Sequence, residues 1–167
     1  MKYILSLVLV CLLVPLALRH ATAQDKSSSG MSAPNALYVE LGGKGLLYGF
    51  YYERLIVPQV GVSAGFSTWN VSLFSSTSVT IVPVFVSWYS PGEWAHLYVD
   101  GGLDIVSVTA SFEEFGTLSG HGVIPFLGAG FCSRSSGGGF YFKAGPLLLL
   151  APGKAQPWGN LSLGFTF

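Results

Sequence analysis

Beyond residue 35 the chain reads as short runs in which apolar and polar residues alternate one by one. In "AHLYVDGGLDIVSV" (95–108), Leu97, Val99, Leu103 and Ile105 share one face, and His96, Tyr98, Asp100, Gly102 and Asp104 share the other. Side chains of a strand point alternately to opposite faces, so this spacing predicts a strand with one apolar and one polar side. In "ALYVELGG" (36–43), Leu37, Val39 and Leu41 oppose Tyr38, Glu40 and Gly42. In "VGVSAGFS" (60–67), Val60, Val62, Ala64 and Phe66 oppose Gly61, Ser63, Gly65 and Ser67. The closing "WGNLSLGFTF" (158–167) sets Leu161, Leu163, Phe165 and Phe167 against Asn160, Ser162, Gly164 and Thr166. Gly, Pro, Ser and Asn cut out four further segments of similar length: "LLYGFYYERLI" (46–56), "SVTIVPVFVSWY" (78–89), "GHGVIPFLGAGFC" (120–132) and "GFYFKAGPLLLL" (139–150). No helical period holds for long. The pattern predicts an all-β chain of eight antiparallel strands running up and down.

Composition decides which face meets what. Only 10% of residues are Asp, Glu, Lys or Arg, against roughly 25% in a soluble domain. The polar faces carry mostly Gly, Ser, Thr and Tyr with isolated carboxylates, whereas a water-facing surface usually carries many Lys and Glu. Small residues with a few charges suit the cramped inside of a narrow barrel, so the apolar faces are expected to meet lipid. Tyr52, Trp88 and Phe167, near strand ends, would then belong to interfacial aromatic girdles.

The first residues support export. Lys2 precedes the apolar run "ILSLVLVCLLVPLAL", and "ATA" before Gln24 is a small-residue cleavage site, so residues 1–23 read as a signal peptide. Residues 24–35 read as a flexible lead-in and 36–167 as the barrel domain. Processing leaves a chain with six Lys or Arg against eight Asp and Glu, which gives no footprint for nucleic acid. It also leaves Cys132 alone, so no intrachain disulfide can form.

Connections suggest a direction. "VPQ", "SPGE" and "SRSSGG" are short, whereas "TWNVSLFSST", "TASFEEFGTLS" and "APGKAQP" are mostly longer. Short periplasmic turns and longer outer loops are the bacterial pattern, with both chain ends periplasmic. "GKG" (43–45) is a tight hairpin turn where an outer loop is expected.

Signal peptide, eight alternating segments and a terminal Phe167 with apolar partners at alternate positions together resemble the small eight-stranded outer-membrane barrels of the OmpA/OmpX type. "ALYVELGGKGLLYGFYYERLI" and "WGNLSLGFTF" look closer still to small barrels of Bacteroidota-like bacteria. The resemblance covers nearly the whole processed chain. It implies the cell outer membrane as location, outer-membrane lipid as surroundings, and Leu163, Phe165 and Phe167 as the signal read by the barrel-assembly machinery. Pro83, Pro125 and Pro146 depart from a regular strand pattern, and β-bulges are the expected accommodation.

Candidate chemistry is sparse. Glu40, Glu53, Asp100, Asp104 and Lys143 fall on the expected interior faces and read as a structural lumen network, since no positioned nucleophile accompanies the carboxylates. His96, His121 and Cys132 show no metal-ligand spacing. "FEEF" (112–115) is a loop tip that either meets a partner or is merely solvated. No catalytic residue, cofactor or metal is assigned. Eight strands close around their side chains, which argues against a general porin. The expectation is a non-enzymatic outer-membrane barrel with a structural role or one of presenting loops to an extracellular partner. Two other readings remain at this level: a barrel enzyme modifying outer-membrane lipid, and a soluble exported barrel with inward apolar faces around a small apolar ligand.

Overall fold

The computed structural model describes residues 33–72, 76–92, 94–112, 116–135 and 137–167. The export segment, most of the lead-in and Glu113 to Phe115 of "FEEF" lie outside the described residues. Eight antiparallel strands form one closed barrel in sequence order. They are β1 (Asn35–Gly42), β2 (Tyr48–Val57), β3 (Val60–Ser72), β4 (Ser76–Tyr89), β5 (Ala95–Phe112), β6 (Gly116–Arg134), β7 (Gly139–Ala151) and β8 (Lys154–Thr166). Closure runs through β1 and β8, with Leu37 opposite Phe165 and Leu41 opposite Leu161. Closing the sheet leaves no strand edge along the lower barrel. At the last residue, the Phe167 amide donates to the Asn35 carbonyl at 2.9 Å and the Asn35 amide donates to the Phe167 carbonyl at 3.0 Å.

The apolar faces point outward. Leu37, Val39, Leu41, Phe50, Val62, Phe66, Leu97, Val99, Leu103, Leu161, Leu163 and Phe165 are all exposed, as are Tyr52, Trp88 and Phe167. Tyr38, Glu40, Tyr51, Glu53, Tyr89, Tyr98, Asp100, Tyr141 and Lys143 are buried inside. The inward apolar arrangement that a soluble ligand-binding barrel requires is therefore not the one this barrel adopts.

Strands three to six overrun the boundaries that their apolar pattern suggests, and so does the eighth, which begins at Lys154 inside the expected link "APGKAQP". Residues 68–72 and 76–77, expected in an outer loop, extend β3 and β4, paired from Thr68–Thr80 to Val71–Thr77. Residues 109–112 and 116–119 likewise extend β5 and β6. Backbone pairing carries on past the point where alternation stops being apolar-outward, a change the loop reading took for a break.

The prolines are not accommodated by bulges. β4–β5 pairs straight through Pro83–Asp104, and β5–β6 through Leu103–Pro125, without a register shift. β7–β8 does the same at Pro146–Gly159. The loss falls on the other neighbour: β3–β4 pairing skips from Ala64–Val84 to Ser67–Ile81 around Pro83, and β6–β7 skips from Gly128–Leu147 to Phe131–Ala144 around Pro146. Each amide of a strand faces one neighbour only, so a missing N–H weakens one ladder and spares the other. The register shift that is present lies between Leu55 and Val57, on the β2–β3 ladder, with no proline between them.

Interior aromatic rings fill the lumen by lying over glycines. A Cβ on Gly65 would stand 2.3 Å from Tyr51 Cδ1, and one on Gly164 would stand 2.5 Å from Tyr38 Cβ. The Tyr38 and Tyr51 rings stack at 5.2 Å, and Tyr38 and Tyr141 at 4.9 Å. Glycine thus supplies the room that lets a ring cross the face of the neighbouring strand.

Candidate functional site: a sealed lumen and an outer extension

Two charged clusters occupy the lumen. In the lower one Glu53 pairs with Arg134 and accepts from Tyr89 Oη at 2.6 Å and from Ser63 Oγ at 3.2 Å. Arg134 Nη2 also donates to the Ala33 carbonyl at 3.3 Å. In the upper one Lys44 Nζ lies 2.8 Å from Glu40 Oε2 and 3.5 Å from Asp100 Oδ2, while Lys143 Nζ lies 2.8 Å from Asp100 Oδ1. Glu40 further accepts from Asn160 Nδ2 at 3.1 Å and Ser162 Oγ at 3.3 Å. Ser87 joins the two clusters, donating to Glu53 at 3.4 Å and accepting from Lys143 at 3.3 Å. Aromatic faces complete the cage, with Lys143 Nζ 4.2 Å from the Tyr98 ring centroid and Lys44 Nζ 4.6 Å from that of Phe85. Every pair is withdrawn from water and supported by hydroxyl, amide and aromatic partners, while Arg134 Nε and Asp100 Oδ2 have no hydrogen-bond partner.

The structure thus brings Glu40, Asp100 and Lys143 into one cluster and places Glu53 in the other. Two charges of this network were not assigned to it from the sequence. Lys44 sits in "GKG", which is not a simple hairpin turn but a 3-10 turn, Gly43–Gly45, folded into the barrel mouth. Gly42 and Gly43 both have φ +67°, and a Cβ on Gly43 would collide with Glu40 Oε1 at 2.2 Å. Only glycine permits that fold-back, which carries Lys44 onto Glu40, four residues earlier. Arg134, read as part of the short link "SRSSGG", is instead the last residue of β6 and points inward. The signal available for both was the excess of inward carboxylates over Lys143, which called for further cations.

Asp104 stands apart. It is 3% exposed, forms no ion pair within 4 Å among the described residues, and its Oδ1 has no hydrogen-bond partner. His96 is buried near the chain-end mouth with Nδ1 2.7 Å from the Ser90 carbonyl, so it donates there. His121 is exposed on the outward face of β6, and the two histidines do not meet. Among the described residues no group of three His, Cys, Asp or Glu could hold a metal. On the outward face Ser107 is the register partner of His121, with no Asp or Glu among the described residues of 105–112 and 116–124. Leu163, Phe165 and Phe167 all point outward on β8, with the Phe165 and Phe167 rings 5.8 Å apart.

Above the lumen, β3 to β6 continue as a four-stranded extension whose polarity is inverted. Phe66, Val82, Ile105 and Val123 end the outward apolar series. The next outward positions, Thr68, Thr80, Ser107 and His121, form one register row across the four strands. Asn70, Ser78, Thr109 and Ser119 form the row after it. On the concave side the same strands present Trp69, Val79 and Val108, then Val71, Ala110 and Leu118. Backbone pairing on its flanks stops early, although Tyr48 Oη donates to the Thr68 carbonyl at 2.6 Å. β2 pairs with β3 only as far as Phe66, and β7 with β6 only as far as Phe126.

The sequence matches no protein-family model and no curated protein. The N-terminal β-barrel domain of Pseudomonas aeruginosa OprF superposes on it with a TM-score of 0.62 at 17% identity, covering 81% of this chain and 100% of that one. Ail, the attachment invasion locus protein of Yersinia pestis, superposes with a TM-score of 0.48 at 16% identity, covering 79% of this chain and 91% of that one. The fold is that of the small eight-stranded outer-membrane β-barrels.

Proposed function

We propose that the protein is an integral protein of the outer membrane, exported by a signal peptide cleaved after Ala23. Its barrel is a sealed anchor without enzymatic activity, and its outer extension makes contacts outside the cell. The observation that carries this reading is the combination of an exposed apolar belt with a lumen filled by ion pairs. In water such a belt would aggregate, whereas in a bilayer it is the required surface. Buried ion pairs joined through Ser87 and packed against aromatic rings occupy the lumen, which supports an anchor over a porin. Asn35 and Phe167 lie at the mouth opposite the extension, which fits a periplasmic C-terminus and an extension outside. Leu163, Phe165 and Phe167 would serve the barrel-assembly machinery during insertion.

Membrane fractionation together with a heat-modifiability gel shift tests the location. Recovery in the outer-membrane fraction, with the unboiled band migrating differently from the boiled one, is expected. Recovery in the soluble periplasm would remove the reading. Lipid A of unchanged mass with and without the protein is expected for a barrel that is not a lipid-modifying enzyme.

A further inference from the structure

The inverted extension encloses a trough. Its concave wall carries Trp69, Val71, Val79, Val106, Val108 and Leu118, and its floor is closed by Ile81, Phe126 and Asp104, all at most 3% exposed. Among the described residues of 67–72, 76–82, 105–112 and 116–124 no Asp, Glu, Lys or Arg occurs. Lower down, the rings that lie over inward glycines fill the barrel. In the trough that packing stops: a Cβ on Gly120 or Gly122 would meet nothing within 4 Å. Val71 stays 40% exposed and Leu118 67% exposed on a face that curves inward. An eight-stranded cylinder is just wide enough to be filled by side chains or to hold one small ligand. Here half of that cylinder is built, lined by apolar side chains and Thr77 and open at Gly120 and Gly122.

We infer that this trough binds one hydrocarbon chain of a free single-chain amphiphile arriving from the medium. The inference rests on the outer-membrane reading for its setting. The position of the trough selects the occupant. Its outer surface is polar from the Thr68–Thr80–Ser107–His121 row onward, so it stands beyond the hydrocarbon layer, out of reach of the tails of bilayer lipids. A free chain in water has its full apolar surface exposed and gains by entering an apolar cleft. Among the described residues of its wall the trough has no cation to pair with an anionic head, so a fatty acid enters tail first and keeps its head at the mouth. The lowest side of the trough is the β1–β2 turn. Below it, on the outer wall of β8, β1, β2 and β3, lies an apolar groove of about 610 Å³ lined by residues including Leu37, Val39, Phe50, Phe66, Leu163 and Phe165.

The test uses the full processed chain in lipid nanodiscs, first shown to be folded by its heat shift, with cis-parinaric acid as the probe. Saturable 1:1 binding above that of empty nanodiscs is expected, with energy transfer from Trp69 that Trp69→Phe reduces. Gly120→Phe and Gly122→Phe, at positions where a Cβ meets nothing within 4 Å, should weaken binding at least tenfold while the heat shift persists. His121→Phe, on the convex face, should leave binding unchanged. A folded, inserted protein without saturable binding, or with binding that the filling variants do not weaken, overturns the trough site and leaves the membrane reading standing. If the filling variants instead lower the sedimenting mass of a wild-type oligomer that binds no probe, a second copy is the occupant and the proposal is wrong. A chain that neither inserts nor shows a heat shift refutes the membrane reading, and the trough proposal with it.

Discussion

At the residue scale, the consequence of each lumen charge depends on how completely it is paired. Glu53 holds Arg134, Tyr89, Ser63 and Ser87 at once. Glu53→Gln would leave the Arg134 guanidinium buried without a counter-charge, at a cost of roughly 3–5 kcal/mol. Urea unfolding in vesicles, followed by tryptophan fluorescence, checks it, and Glu53→Gln combined with Arg134→Leu should recover a large part. Asp100→Asn strips a partner from both Lys44 and Lys143 and should be similarly costly. Asp104→Asn, which breaks no ion pair, should stay within about 1 kcal/mol of wild type or stabilise the barrel. Equal losses for the two Asp variants would mean that Asp104 has a counter-charge. Gly65→Ala forces a Cβ against Tyr51, whose ring cannot retreat from its stack on Tyr38. A loss of about 1–3 kcal/mol is expected, and Tyr51→Ala in the same chain should relieve it.

At the element scale, β5 changes environment along its own length. Leu103 and Thr109 are both outward, six residues apart and three steps along the same face of the strand. Leu103→Arg puts a charge into hydrocarbon and should cost about 2–4 kcal/mol if it lies near the midplane. Thr109→Arg, beyond the polar row, should cost less than about 1 kcal/mol. Nitroxide labels at 99, 103 and 105 in bilayers should be relaxed by oxygen and shielded from a water-soluble relaxant, with the order reversed at 107, 109 and 111. Oxygen-type relaxation that continues through 111 would place the whole extension in lipid and remove the inverted trough from water. The same inversion on four neighbouring strands makes it a property of the sheet rather than of one strand.

At the scale of the whole molecule, closure and sealing are separate achievements. Closure depends on β1 meeting β8, and the last residue takes part through two backbone hydrogen bonds with Asn35. Deleting Phe167 removes both and an exposed terminal ring. Lower outer-membrane levels and more periplasmic degradation are expected while secretion continues, and immunoblots of fractionated cells measure it. Sealing depends on the Lys44 turn and the Ser87-linked network. In planar bilayers the wild-type protein should therefore show no long-lived open channel of porin size.

By itself the sequence determined the strand count, the two faces and the inward set of Glu40, Glu53, Asp100, Asp104 and Lys143. A strand's side-chain period is two whatever it packs against, so alternation is a local quantity. Link length was a poor guide to direction, because most of "TWNVSLFSST", "TASFEEFGTLS" and "APGKAQP" is strand rather than loop. Only the tertiary structure decided which charges meet. Lys44 reaches Glu40 because a turn with two positive-φ glycines folds back into a lumen that exists only once eight strands have closed. Arg134 finds Glu53 across 81 positions of sequence. The proline ladders were likewise settled by which neighbour each amide faced, and local pattern does not carry that. The trough was hidden for a further reason. Its residues still alternate, but the phase that means inside within the barrel means the reverse of the lipid rule beyond the Thr68–Thr80–Ser107–His121 row. Solvent on the convex side, water in place of lipid, sets that meaning, and only the assembled barrel shows where the change occurs.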